Sequence, residues 1–138
     1  MIVLTSYRYS PIGRGILSGQ IKSIADIPED DFRRTIPRFS EENFPKNLEL
    51  VTKLEKIAES KGVTPAQLAI SWVRQLSLKN GNPVIIPIPG ATTEARIFEN
   101  VKEVEFSEKD IAEVDAILAS FTVEGGRYGA HHAHLMDG

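Results

Sequence analysis

Cysteine is missing from all 138 residues, so the chain holds no disulfide, offers no thiolate nucleophile and cannot build a cysteine-based zinc site. No apolar run approaches the roughly 20 residues of a membrane span. Residues 1–8 lack the basic start and long apolar core of a secretory signal. Positive charge is not in excess either: 16 Lys and Arg stand against 19 Asp and Glu, a net of −3. That balance excludes a nucleic-acid or membrane-surface partner recruited by bulk electrostatics. These absences together fit a cytoplasmic protein. Aromatic residues are few, and the single tryptophan, Trp72, falls on an apolar helical stripe and reads as core.

What is present is the composition of one small globular domain, 41% hydrophobic and 25% charged. Leu48, Val51, Leu54, Ile57 and Ala58 recur at three- and four-residue spacing after Pro45, which predicts a helix stopped by Gly62. Thr64-Pro65-Ala66-Gln67 supplies an N-cap, a proline at the first helical position and a Gln at the third. A second helix then shows Leu68, Ala69, Trp72, Val73 and Leu76 on one face and ends at Asn80-Gly81. Ser107-Glu108-Lys109-Asp110 caps a last helix with Ile111, Val114, Ile117 and Leu118 inward. Residues 20–44 show no lasting period and read as a long, partly irregular surface loop. The tail from residue 122 has no period either and reads as solvated, although Arg127 and Tyr128 could cover a pocket. Its His131, His132 and His134 have neither Cys nor paired carboxylates nearby, so no metal site is expected.

Two stretches carry chemistry. In the first, residues 82–100, Val84, Ile85, Ile86 and Ile88 form the β-branched run of a strand covered on both faces, as in parallel sheets. Pro87 and Pro89 then limit ladder pairing at its far end. Gly90 permits a tight exit, and Thr92 or Thr93 can cap a helix, setting unpaired N–H groups and a positive dipole end at the strand mouth. Arg96, one turn in, could grip a phosphate bidentately, with Glu99 and Asn100 beside it to meet an adenine edge. A plainer reading is equally open: the threonines only cap, Arg96 pairs with Glu99 or Glu103, and Asn100 ends a short helix. In the second stretch, Tyr9-Ser10-Pro11-Ile12-Gly13-Arg14-Gly15-Ile16-Leu17-Ser18-Gly19, three glycines in seven residues mark a loop approached closely by something else. Tyr9 there is either a pocket wall or a strand-end core aromatic.

The Tyr9 to Gly19 segment resembles the one after strand seven of aldo-keto reductases. The segment from Pro87-Ile88-Pro89-Gly90 to Arg96-Ile97-Phe98-Glu99-Asn100 resembles the strand-eight cofactor segment of the same family, with Thr-Pro-Ala-Gln-Leu-Ala-Ile-Ser-Trp between the two in the right order. Phe32-Arg33-Arg34 and Gly126-Arg127-Tyr128 are similar to the fungal, pyridoxal-reductase-like branch. The resemblance implies an α/β fold, the C-terminal part of a (β/α)₈ barrel with about two strands and three to four helices. It makes residues 1–138 one segment of an NADP-dependent oxidoreductase domain, with 122–138 as its tail. It further implies that Tyr9 stacks on the nicotinamide of NADP(H) and that Ser10, Ile12 and Gly13, with Arg14 or Gly15 nearby, line the pyrophosphate. Gly90, Ala91 and Thr92 would approach the adenosine phosphate, Arg96 would bind the 2′-phosphate, and Glu99 and Asn100 would hold adenine. Gly90 and Ala91 stand where some members have Lys and Ser, which leaves the phosphate fewer side-chain donors.

A complete barrel runs to about 250 residues, and the family's catalytic Asp, Tyr, Lys and His lie in its first half. None of the four maps onto this chain: Tyr7, Tyr9 and Tyr128 have no Lys and His at matching positions. Residues 1–8 also depart from the usual strand, so a truncated or alternatively started product is expected. Three readings follow: a part of a reductase acting on aldehydes or ketones, a non-catalytic NADP(H)-binding module, or a fragment that associates with a full-length homologue through open barrel edges.

Overall fold

In chain order the elements are β1 (Thr5–Tyr9), α1 (Asn43–Ser60), α2 (Pro65–Gln75), β2 (Val84–Ile88), α3 (Glu94–Val101) and α4 (Glu108–Ala119). These come from a computed structural model that describes residues 4–77, 79 and 81–129. β1 and β2 pair in parallel, from Thr5 opposite Val84 to Tyr9 opposite Ile88. A parallel pair needs a crossover, and α1 and α2 provide it.

The helix starts follow from local chemistry. The Thr64 hydroxyl accepts from the Gln67 N–H while the Gln67 side chain reaches back to Thr64, and Ser107 with Asp110 repeats the arrangement on α4. Of the two candidate threonines before α3, Thr93 is the cap: its hydroxyl accepts from the Arg96 N–H. The periodic faces of α1, α2 and α4 then meet, burying Leu50, Leu54, Ile57, Ala58, Leu68 and Val114. Trp72 packs against this cluster half-buried and keeps its indole N–H on an Asp115 oxygen, 3.2 Å away.

Several expectations are corrected. α2 stops at Gln75, short of Asn80-Gly81. Asn82 donates to the Leu76 carbonyl, and the Ser77 hydroxyl bonds both the N–H and the carbonyl of Ile85, so side chains after α2 turn the chain into β2 early. The ladder also runs through Pro87 to Ile88. A strand with one neighbour among the described residues can leave the position that lacks an N–H on its open side. Nor is β2 covered on both faces: Ile85 is 7% exposed, but Ile86 and Ile88 are 39% and 49% exposed. Only Val114 of the four inward residues of α4 is fully buried.

The largest correction concerns residues 20–44. They form short 3₁₀ turns at Ile24–Asp26, Phe32–Thr35 and Pro37–Phe39, whose Ile21, Ile27, Ile36 and Phe39 close around Phe44 as a second core. A three-residue turn shows no 3.6-residue repeat, so a folded unit with its own apolar centre reads as loop.

One electrostatic contact sets an acid limit. Lys61 Nζ lies 2.6 Å from Asp110 Oδ2 and, with the Ser107 N–H and hydroxyl, holds the Asp110 carboxyl at about 2. An unperturbed carboxyl titrates near 4. The folded state therefore binds this proton less readily than the unfolded one, and the contact's contribution is complete above about pH 4 and disappears as pH falls toward 2. Asp110→Asn is expected to lower the melting temperature at pH 7 and to flatten its decline between pH 4 and 2. A decline as steep as the parent's in that interval would refute the assignment.

Candidate functional site

Beyond β1 the backbone takes an unusual course. Ser10 and Arg14, both with side chains, sit in the left-handed region at φ 51° and 59°, beside Gly13 at 58° and Gly15 at 94°. Left-handed backbone at a residue with a side chain costs on the order of 1–2 kcal/mol, so two within five residues mark a conformation imposed by its surroundings. Gly13 is also sterically required: a Cβ there would stand 2.8 Å from Ile16 Cγ2. Gly13, Arg14 and Gly15 follow one another in the left-handed region, and the Gly13 and Gly15 N–H groups close the turn on the Ser10 and Ile12 carbonyls.

This turn rims a cavity of about 550 Å³ whose wall includes Tyr9, Ser10, Gly13, Arg14, Arg127 and Tyr128. Up to residue 129 the tail is docked on the 3₁₀ segment and α1, although most of its residues stay exposed. Asn47, 4% exposed on α1, donates to the Arg38 and Glu124 carbonyls and accepts from the Glu124 N–H at 2.9 Å. Arg38 Nε donates to the Gly125 carbonyl at 3.0 Å. Gly125, at φ 82°, crosses so close to Pro37 that a Cβ would meet its carbonyl carbon at 2.7 Å. Held this way, the tail sets the Tyr128 ring 4.7 Å from the Arg14 guanidinium, which also faces Phe32 at 5.4 Å. Arg14 Nη1 is buried there with no hydrogen-bond partner among the described residues. A hydrogen bond with Tyr128, opposed by burial and reinforced by Arg127 and the Arg14 charge, draws the Tyr9 hydroxyl's pKa below its ordinary value.

The second group, after β2, is organised differently. Arg96 Nη1 lies 3.2 Å from Glu99 Oε2, and Glu99 Oε1 accepts from the Thr64 hydroxyl at 2.7 Å. Gln67 Nε2 donates to the Glu99 carbonyl. Glu99 thus docks α3 on the start of α2 and aims Arg96, and an adenine amine would have to share its oxygens. Asn100 Nδ2 reaches the Gly90 carbonyl at 3.4 Å, while Thr92 is exposed before the cap. The structure brings Tyr9, Ser10, Gly13 and Arg14 onto one wall; Ile12 and Gly15 belong to the same turn without lining the cavity. Gly90, Thr92, Arg96, Glu99 and Asn100 do not line it either.

Asn47 and Arg38 escaped the sequence reading. Asn47 had a signal, since it interrupts the inward stripe of α1 between Phe44 and Val51, where a polar side chain must find partners. Arg38 had none. A smaller cavity of about 120 Å³ between α1, α2 and α4 is lined by apolar residues alone and offers a ligand no orienting group. Among the described residues no group of three or more His, Asp or Glu could hold a metal, and His131, His132 and His134 lie outside them. No helix among the described residues is long and apolar enough to cross a membrane.

Comparison with known proteins gives a consistent result. The model of the aldo/keto reductase family matches residues 4–119. The NADP(+) aldo-keto reductase yakc of Schizosaccharomyces pombe is 43% identical over 138 residues, which is 97% of this chain and 39% of the relative. Aldo-keto reductase str7 of Strobilurus tenacellus is 40% identical over 97% of this chain and 39% of its own length. A Saccharomyces cerevisiae protein provisionally named a pyridoxal reductase is 38% identical over 87% and 37%. Among solved structures, the glycerol dehydrogenase AKR11B4 of Gluconobacter oxydans superposes with a TM-score of 0.68 at 27% identity, covering 86% of this chain and 35% of that one. The two parallel strands and their helices are thus part of a (β/α)₈ barrel, and the chain spans about two fifths of the curated relatives' length.

Proposed function

The chain belongs to the aldo/keto reductase family, and from that premise we propose that it forms the NADP(H)-holding C-terminal portion of an oxidoreductase that interconverts an aldehyde or ketone and its alcohol. The observation that carries this reading is the left-handed turn of Ser10, Gly13, Arg14 and Gly15 at the cavity rim, with Arg14 Nη1 buried and lacking an acceptor among the described residues. A pyrophosphate would supply that acceptor. The residues present fit the cofactor in kind: Tyr9 for the nicotinamide face, and Ser10, Ile12, Gly13, Arg14 and Gly15 for the pyrophosphate. Gly90, Ala91 and Thr92 would face the adenosine phosphate, Arg96 the 2′-phosphate, and Glu99 and Asn100 the adenine. When bound, the cofactor supplies or takes the hydride. This chain's part is to orient it and screen it from water. Tyr7, Tyr9 and Tyr128 have no Lys and His at the positions that the family's pattern requires, so no proton donor is assigned among the described residues.

NADPH titration tests the proposal, with Trp72 fluorescence as readout because its ring lines the same cavity, and thermal melting alongside. Arg96→Ala is expected to weaken NADPH by 10- to 100-fold while leaving NADH unchanged, the loss of one charge-assisted contact of about 1.5–3 kcal/mol. Indifference of the parent chain to NADPH would overturn the proposal.

A second reading, association with a homologous barrel, has its own observation. Leu4 just before β1, Tyr7 on β1, Ile86 and Ile88 on β2, and Ile97, Phe98 and Val101 on α3 are all exposed, beside strand edges that pair with nothing else among the described residues. Apolar surface of this kind marks interfaces. Co-expression with a full-length homologue is expected to yield a stable complex that Phe98→Asp weakens; elution of the two chains apart would refute it.

A further inference from the structure

We propose that the cavity beneath the tail is a receptor for a small anionic group, a carboxylate or phosphate carried by the carbonyl substrate itself, gripped by Arg127 together with Arg38. The inference rests on the reductase reading for the word substrate, and on the cavity's own chemistry for the word anionic.

In a chain of net charge −3, the lining of this cavity includes Arg8, Arg14, Arg38 and Arg127 and no Asp or Glu. None of the four takes part in an ion pair among the described residues, whereas Arg33, Arg74 and Arg96 do and Arg34 bonds only backbone carbonyls. Arg38 is anchored through Nε to the Gly125 carbonyl, which leaves its terminal nitrogens to act on the cavity. Arg127 comes from the tail, two residues beyond that anchor. The two guanidinium groups are close enough that burial first, and then the Arg127 charge, lower the Arg38 pKa. Like charges gathered without a counter-charge repel one another, and an anion between them relieves the repulsion. Planar guanidinium forks match carboxylate and phosphate oxygens in pairs. The Tyr9 hydroxyl, which also lines the wall, is hydrogen-bonded to both Tyr128 and Arg127 and so ties the Arg127 guanidinium to it. An anion held here would sit against Tyr9, next to the reacting end of the cofactor in the reading above. The arrangement therefore selects acidic aldehydes and ketones over neutral ones.

The test titrates the full chain with inorganic phosphate against sodium chloride of equal ionic strength, reading Trp72 fluorescence and melting temperature. Saturable binding of phosphate, weakened at least tenfold by Arg127→Gln and in part restored by Arg127→Lys, is expected. Arg127 is the residue to change because it is exposed and holds no described backbone group, so the fold survives the variant. Adding saturating NADPH separates the two anion sources: an unchanged phosphate affinity is expected. Loss of the phosphate response on adding NADPH would assign the cations to the cofactor and overturn the proposal, as would a phosphate response equal to that of chloride or one indifferent to Arg127→Gln. Failure of NADPH to bind overturns the cofactor reading alone, because the phosphate response is scored without it.

Discussion

Phe44→Ala is expected to destabilise the protein by about 3–5 kcal/mol, a large share of the whole for a domain of this size. Phe44 is 1% exposed and stacks on Phe39, with ring centroids 5.6 Å apart. It is the centre around which Ile21, Ile27, Ile36 and Phe39 close, and it belongs to α1, so it fastens the 3₁₀ segment to the helical layer. Short turns of this kind have few backbone hydrogen bonds of their own. Deleting the ring leaves a void that turns anchored at both ends cannot fill by collapse. The damage reaches the site because Ile36 and Phe39 both line the large cavity and Ile16, in the turn after Gly13, packs on the same cluster. Urea denaturation followed by Trp72 fluorescence reads the loss, and Phe44→Leu is expected to recover more than half of it. A stability within 1 kcal/mol of the parent would show that this second core is not a core at all.

What could be read from the sequence was what depends on near neighbours along the chain. The Thr64 and Ser107 capping boxes, the apolar faces of α1 and α2, and the strand–turn–helix passage from Val84 to Arg96 are decided within a few residues, so pattern and structure agree there. The exposure of Ile86 and Ile88 was not legible. A β-branched run reports what a strand could bury, and whether it does so depends on which strands lie beside it. The cap at Thr93 rather than Thr92, and the Arg96–Glu99 pair, sit within one turn and were among the alternatives the sequence allowed. The coupling of Glu99 to Thr64 and Gln67 joins residues about 35 positions apart, and no local signal announces it. The same holds for the cavity: Tyr9, Arg38 and Arg127 meet only because the tail returns across the 3₁₀ segment. The glycines of residues 13–19 announced a close approach correctly. Four arginines around one cavity were invisible as a group because they are scattered from position 8 to position 127.

The return of the tail rests above all on Asn47, which makes more of its backbone bonds than Arg38 does, and Asn47→Ala is expected to undo it. The Asn47 amide satisfies the Arg38 carbonyl and both backbone groups of Glu124, and it does so from a buried position. Removing it leaves those groups without partners, at about 1–3 kcal/mol for each that stays buried. The chain has a cheaper course, which is to release the tail into water at the cost of the Tyr128 and Arg38 contacts. The expected result is therefore a loss of about 2–4 kcal/mol in which the helical core persists and proteolytic cleavage begins between Phe121 and Tyr128. Asn47→Asp separates geometry from chemistry, since it can accept from the Glu124 N–H but cannot donate to the two carbonyls, and it should cost nearly as much. Gly125→Ala reaches the same outcome from the other side, because its Cβ would meet the Pro37 backbone at 2.7 Å, and backbone cannot move aside as a side chain can. Both Asn47→Ala and Gly125→Ala should weaken phosphate binding at least tenfold through displacement of Arg127, whereas Arg127→Gln does so with the tail in place and protected from protease. Protection of the tail in Asn47→Ala equal to that in the parent would mean that Phe121 and Tyr128, not the amide, hold it down.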